Sequence, residues 1–251
     1  MKRSDWITTP LGICTRIKPG TKHDFQDYAK LFDLFKKSYN KKNCAMAMDL
    51  KTFFNTIVSD VKFRCLVIDA LYLSSSSALF EEAGILLKDM DIVSKTIEFK
   101  PPPKGGRCGQ LHTGDLYEFL LDLPIPDSEE ERYDVVVLDF CGAGSKNLNC
   151  FDILCEKLLI ADAAVGSITL SARGGRKLEY MKQEKLEAQN YMITKAMENG
   201  YSIRFYGELE YQQMFSLFFK MIHNFGSLHP QGGFKTKDKD ASNWLNTPFK
   251  F

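Results

Sequence analysis

The sequence predicts an α/β domain: a doubly wound, mostly parallel sheet of about seven strands that ends in an antiparallel hairpin. Short apolar runs rich in valine, isoleucine and leucine recur along the chain, and the clearest is RYDVVVLDFCGAGSK at 132–146. A run that is apolar at successive positions suits a strand buried on both faces, as parallel strands are. These runs alternate with segments of helical periodicity, and parallel strands need such crossovers between them. The last two runs, 201–206 and 214–221, are separated by GELEYQQ, too short for a crossover, so one of them must run antiparallel.

Taken in order, residues 25–58 place Phe25, Tyr28, Leu31, Phe32, Phe35, Phe53, Phe54 and Ile57 at helical spacing around a polar SYNKKN stretch. They predict an amino-terminal helical region, 1–60, packed on a main domain at 61–223. Within that domain, FRCLVIDAL at 63–71 reads as a buried strand, and 75–87 as a helix whose serines cap its first turn. Residues 91–99 alternate apolar and polar side chains and predict one strand, closed off by Pro101, Pro102 and Pro103. PPPKGGRCG is a loop, Leu111 and His112 end a short strand, GDLYEFLLDL holds a turn and short helix, and PIPDSEEER is an exposed connection. Helix at 151–159, strand at 165–171 and a long amphipathic helix at 177–199 follow, with Gly200 where a left-handed C-cap belongs. From 224 to 251 periodicity stops, and an irregular tail is expected.

Composition narrows the function classes. Thirty-three Lys and Arg against 32 Asp and Glu leave a net charge of +1, so no global polyelectrolyte signal marks the chain. Seven cysteines at 14, 44, 65, 108, 141, 150 and 155 lack paired zinc-type spacing and fit reduced thiols in an intracellular, cytoplasmic or nuclear, setting. His23, His112, His223 and His229 show no metal-ligand spacing, so no structural zinc is expected. No apolar window is long enough for a membrane span, and the amino terminus has no secretory h-region.

Ligands of open α/β sheets bind beyond the carboxyl ends of the strands, which points to Asp139, Phe140, Cys141 and Gly142 as rim residues. SARGGRK at 171–177 sits after the next strand and supplies Arg173, Arg176 and Lys177 beside two glycines. That loop suits phosphate contacts; a solvated helix entry balanced by Glu179, Glu184 and Glu187 fits the same residues.

The order of elements over roughly residues 60 to 222 resembles the class I S-adenosylmethionine-dependent methyltransferases, whose Rossmann-like seven-stranded sheet ends in such a hairpin. The resemblance implies S-adenosyl-L-methionine as cofactor. In that family the first strand ends in an acid and a glycine-rich loop; here VIDALYLSSSSALFEEAG keeps the acid as Asp69, and serines replace the glycines. Ser74 and Ser75 would then offer hydroxyls to the methionine moiety, or simply cap the helix. An acid after the second strand, holding the ribose hydroxyls, corresponds to Glu98 or to a solvated edge charge. Gly114 and Asp115 match the turn near the adenine amine, and Asp115 equally suits an N-cap.

At the fourth strand, amino-directed nucleic-acid members carry an Asp or Asn, two prolines and an aromatic, of which this chain keeps only Asp139. Carbon-directed members use a cysteine nucleophile, and Cys141 stands nearby. Ribose-directed members use a Lys, Asp, Lys, Glu set, to which Lys62, Asp139, Lys177 and Glu208 correspond in order. Asp139, Lys177 and Glu208 are thus the catalytic candidates. Arg173, Arg176 and Lys177 are the substrate-binding ones, and Asp69, Ser74, Ser75, Glu98, Gly114, Asp115, Asp139 and Phe140 are the cofactor set. The implied activity is methyl transfer to RNA or DNA, with a protein partner at the amino-terminal region or tail. The alternative is a catalytically inactive scaffold of the same fold that has lost its glycine loop.

Overall fold

The structure is a computed structural model, and it describes residues 6–9, 11–18, 63–69, 73–100, 109–172, 178–211 and 214–223. The expected helices of 25–58, most of PPPKGGRCG, the 173–177 loop and the 224–251 tail lie outside the described residues.

Ten strands and four α-helices are described: β1 (Ile7–Thr8), β2 (Cys14–Ile17), β3 (Cys65–Ile68), α1 (Ser74–Ala83), β4 (Met90–Ser94), β5 (Ile97–Lys100), β6 (Leu111–Thr113), α2 (Leu116–Asp122), β7 (Tyr133–Ala143), α3 (Gly144–Glu156), β8 (Ile160–Ser171), α4 (Leu178–Glu198), β9 (Tyr201–Tyr211) and β10 (Met214–His223). Seven strands form one sheet in the order β6-β4-β3-β7-β8-β10-β9. Pairing is parallel from β6 to β8, and β10 runs antiparallel to both β8 and β9. This is the doubly wound sheet with a terminal hairpin that the sequence predicts. The chain winds outward from β3 in one direction and from β7 in the other, so the crevice between their carboxyl ends is the topological switch point.

Both faces of the sheet are covered. Val136 and Leu138 of β7 face a core shared with α2, α3 and α4, while Val135 and Val137 face a second core with Leu79 of α1. That alternation within one apolar run is why the run carries no polar position before Asp139. At the centre, Gly166 of β8 lies where a Cβ would come within 2.4 Å of the Phe219 ring and 2.8 Å of the Val136 carbonyl oxygen, so only glycine lets the ring cross there. Gly200 ends α4 with φ of 80°, the left-handed C-cap its place in the sequence predicts.

Three expectations change. Residues 91–99 are two strands, β4 and β5, in two different sheets. A bend at Lys95 and Thr96 turns the chain, and β5 pairs antiparallel with β2, which pairs with β1. The start of the 1–60 region is therefore a strand pair, whose Ile13 and Ile17 join the core beneath α1. GELEYQQ is mostly strand: β9 runs on to Tyr211, with a bulge opposite Phe218 and Phe219.

The carboxyl end of α2 is closed by a side chain from outside the helix. Lys157 Nζ donates to the carbonyl oxygens of Leu120 (3.0 Å), Leu121 (2.9 Å) and Leu123. These carbonyls have no partner within the helix, and the ammonium also complements its negative end. Lys157→Met keeps the aliphatic stem and loses this cap; about 1.5 kcal/mol of stability is expected to be lost in denaturant titration.

Candidate functional site

Beyond the carboxyl ends of the parallel strands stand Asp69 after β3, Lys95 after β4, Asp115 after β6 and Asp139 on β7. Asp69 is only 8% exposed. Its Oδ2 accepts from the Ser76 amide and the Ser76 hydroxyl, each at 2.8 Å. The carboxylate thus lies on the amino end of α1, where amides without helical partners and the helix dipole both favour an anion. Leu73, just before the helix, takes a left-handed φ of 49°, and Ser75, Ser76 and Ser77 are all buried. The serine run is therefore a packed first turn held from below by Asp69. Ser75 belongs to that turn; the Ser74 side chain lies outside the described ones.

Asp115 caps α2, its Oδ1 accepting from the Tyr117 amide at 2.9 Å, while its Oδ2 accepts from Lys95 Nζ at 2.7 Å. Its burial favours the neutral acid, but Lys95 and the Tyr117 amide outweigh that and hold its pKa below the ordinary value. Gly114 precedes it, with the His112 ring 2.3 Å from where a Cβ would be.

Glu98 is elsewhere. It lies on β5 and pairs with Arg16 of β2 at 2.6 Å, so the carboxyl end of β4 presents the ammonium of Lys95 where the resemblance implies an acid. Sequence reasoning missed Lys95 because it ran β4 and β5 together; ending the strand at Ser94 would have exposed it.

Asp139 is aligned with Thr169 of β8, which is aligned in turn with Ser216 of β10. The two hydroxyls are 2.8 Å apart and buried. By alternation with Val135 and Val137, Asp139 shares the α1 side of the sheet. Phe140 turns the other way and packs against the core beneath α3 and α4. Glu208 likewise faces α4: Lys185 Nζ is 2.8 Å from both Glu208 and Glu210. Burial of Lys185 would lower its pKa, but these two carboxylates outweigh it and raise it. Asp139 and Glu208 are thus on opposite faces of the sheet, so these two described members of the four-residue ribose-directed set do not face one another. Lys62, Arg173, Arg176 and Lys177 lie outside the described residues, as does the Cys141 side chain. Among the described residues no cluster of metal-ligating side chains occurs, and no helix is long and apolar enough to cross a membrane.

No family model matches the chain, and no curated protein matches it. Several solved structures follow a similar path. Magnesium protoporphyrin IX methyltransferase from Synechocystis PCC 6803, with bound SAH, is 12% identical with a TM-score of 0.45, over 75% of this chain and 85% of that one. A SAM-dependent methyltransferase from Archaeoglobus fulgidus is 12% identical with a TM-score of 0.40, over 77% and 100%. TYW2 of M. jannaschii, in complex with AdoMet, is 12% identical with a TM-score of 0.40, over 72% and 75%. These likenesses concern fold alone.

Proposed function

We propose that this chain is an S-adenosyl-L-methionine-dependent methyltransferase acting on nucleic acid. The observation that carries the reading is the placing of Asp69, Asp115 and Asp139 at the carboxyl ends of three parallel strands of one sheet, two of which, β3 and β7, flank the switch point. The residues fit the cofactor at two points and depart from it at a third. Asp69 fixes the first turn of α1 beside the place of the methionine moiety, and Asp115 with Gly114 offers acceptors to the adenine amine. Lys95 stands at the ribose position and offers the diol donors in place of an acid's acceptors.

When bound, the cofactor supplies an electrophilic methyl group. This chain's part is to orient the acceptor in line with it and exclude water, which removes much of the entropic barrier. Asp139, beside the Thr169 and Ser216 hydroxyls, is the acceptor-side residue of this proposal, and Lys177 the candidate base. Arg173 and Arg176 follow β8, the next strand of the same rim, and are the proposed phosphate contacts.

Titration with S-adenosylmethionine and S-adenosylhomocysteine tests the cofactor, because a ligand of the folded state raises apparent stability, by about 2.7 kcal/mol at a hundredfold excess over Kd. Asp115→Ala is expected to weaken that shift and Glu98→Ala to leave it unchanged; no shift in the unmodified protein at millimolar ligand sinks the reading. With radiolabelled cofactor and RNA, Asp139→Asn and Lys177→Ala are each expected to abolish transfer while retaining the shift. A second reading, a non-catalytic binding subunit, is favoured by one observation: the carboxylate of Asp69 occupies the anion-attracting end of α1. A protein that binds RNA and shows no shift would support it.

A further inference from the structure

The three-stranded sheet β1-β2-β5 has one face in the core and one outside. Ile13, Thr15, Ile17 and Ile97 point inward and are buried. By alternation, Trp6, Arg16, Lys18, Glu98 and Lys100 share the outer face. The Trp6 indole is held there by two cations: the Arg16 guanidinium carbon is 4.7 Å from the ring centroid and Lys100 Nζ is 4.2 Å from it. Among the described residues this face carries Arg16, Lys18 and Lys100, with Glu98 paired to Arg16, in a chain whose total charge is only +1.

We propose that this face binds single-stranded nucleic acid, Trp6 stacking on a base while Arg16 and Lys100 contact the flanking phosphates. The inference rests on the nucleic-acid part of the function proposed above and assigns it a surface. An indole already held against the sheet by neighbouring cations has less rotamer freedom to lose when a base stacks on it. Bases in a single strand present open π-faces next to phosphates, whereas those of a duplex are closed by their neighbours. Position supports the same occupant. Lys18 at the end of β2 donates its amide to the Thr96 carbonyl oxygen at 2.8 Å, and Lys95, next to Thr96, pairs with Asp115 at the rim. A strand lying along β2 and β5 toward Lys18 therefore leads to the carboxyl rim of the main sheet.

The experiment is binding of the full chain to a short labelled single-stranded RNA at about 50 and about 200 mM salt. Binding that weakens with salt is expected. Trp6→Ala is expected to lower affinity about tenfold, the scale of one stacked base. Lys100→Gln, an exposed change that leaves the sheet intact, is expected to reduce the slope of log affinity against log salt by about one. The chain has two tryptophans, so in a Trp244→Phe variant Trp6 is the sole reporter, and its fluorescence is expected to be quenched by RNA. Unchanged affinity in Trp6→Ala together with an unchanged slope in Lys100→Gln overturns the proposal but leaves RNA binding by another surface standing. No RNA binding by the unmodified chain overturns both this surface and the nucleic-acid reading. Equal affinity for a poly-glutamate peptide overturns it in favour of an acidic protein partner. The cofactor-induced thermal shift, measured in the same variants, reports the methyltransferase reading separately and shows that Trp6→Ala is folded.

Discussion

Asp69→Ala is expected to cost about 3 kcal/mol in folding stability and to abolish the thermal shift given by S-adenosylmethionine. The carboxylate is buried and accepts both the amide and the hydroxyl of Ser76. Truncation leaves two donors without a partner in a place closed to water, at about 1 to 3 kcal/mol for each unsatisfied group. It also removes the negative charge from the positive end of α1. Asp69→Asn keeps an oxygen for the Ser76 amide and loses the charge, so an intermediate loss is expected. Denaturant titration of the three proteins separates these contributions. A cost below about 1 kcal/mol for alanine would mean that water replaces the carboxylate, and that α1 does not depend on it.

How much of this was legible in the sequence differs from element to element. The run before Asp139 was legible because burial on both faces removes every polar position, and its shortness, its valines and the glycines that follow favour a central strand over a buried helix. The split of 91–99 was not. Ser94, Lys95 and Thr96 contain neither glycine nor proline, so no local residue announces the bend, and the two strands are separated by partners far away. β5 exists because Ile97 meets Ile17 and Phe99 meets Thr15 across eighty or more positions of chain. Glu98 illustrates the same limit at the site. An acid after a strand reads as a ligand holder, and only the Arg16 guanidinium, brought close by that distant pairing, gives it another task. Glu208 was read into a turn, yet the alternation in GELEY already has the period of a strand. In it Leu209 faces the core beneath α1, whereas Glu208 and Glu210 face Lys185.

Asp69 and Asp115 show the opposite case, in which two readings of one residue hold together. Both are helix caps by geometry, and both stand at the rim where a ligand would arrive. A cap fixes the direction of a helix's free amides, so the acid that completes the fold also fixes where a bound group meets the helix. Sequence supplies the residue type and the strand it follows; which of its oxygens remain for a ligand depends on Ser76, Lys95 and Tyr117, and hence on packing.

Replacing Asp134 with asparagine is expected to stabilise the protein at pH 8 and to give no advantage near pH 4. Burial pushes the Asp134 carboxyl up to about 7, with the charge of Glu129 adding to it and the Arg64 amide opposing it at 2.8 Å. The ordinary value is about 4, so between about pH 4 and 7 the folded chain keeps a proton that the unfolded chain has released. Stability therefore falls as pH rises through that window and stays lower above it. The full gap of about 3 units sets a ceiling of about 4 kcal/mol, and solvent reaching this edge of the sheet brings the expected difference at pH 8 to about 2 kcal/mol. Asparagine keeps an acceptor for the Arg64 amide and carries no charge to desolvate, so the variant's stability should lose that part of its pH slope. A steep slope retained between pH 4 and 7 in the variant would place the proton elsewhere. Asp134 sits near the amino end of β7, next to Arg64 before β3, at the opposite end of these strands from Asp69 and Asp139. The substitution should consequently change folding stability and leave cofactor binding untouched, which makes it a control for every variant at the rim.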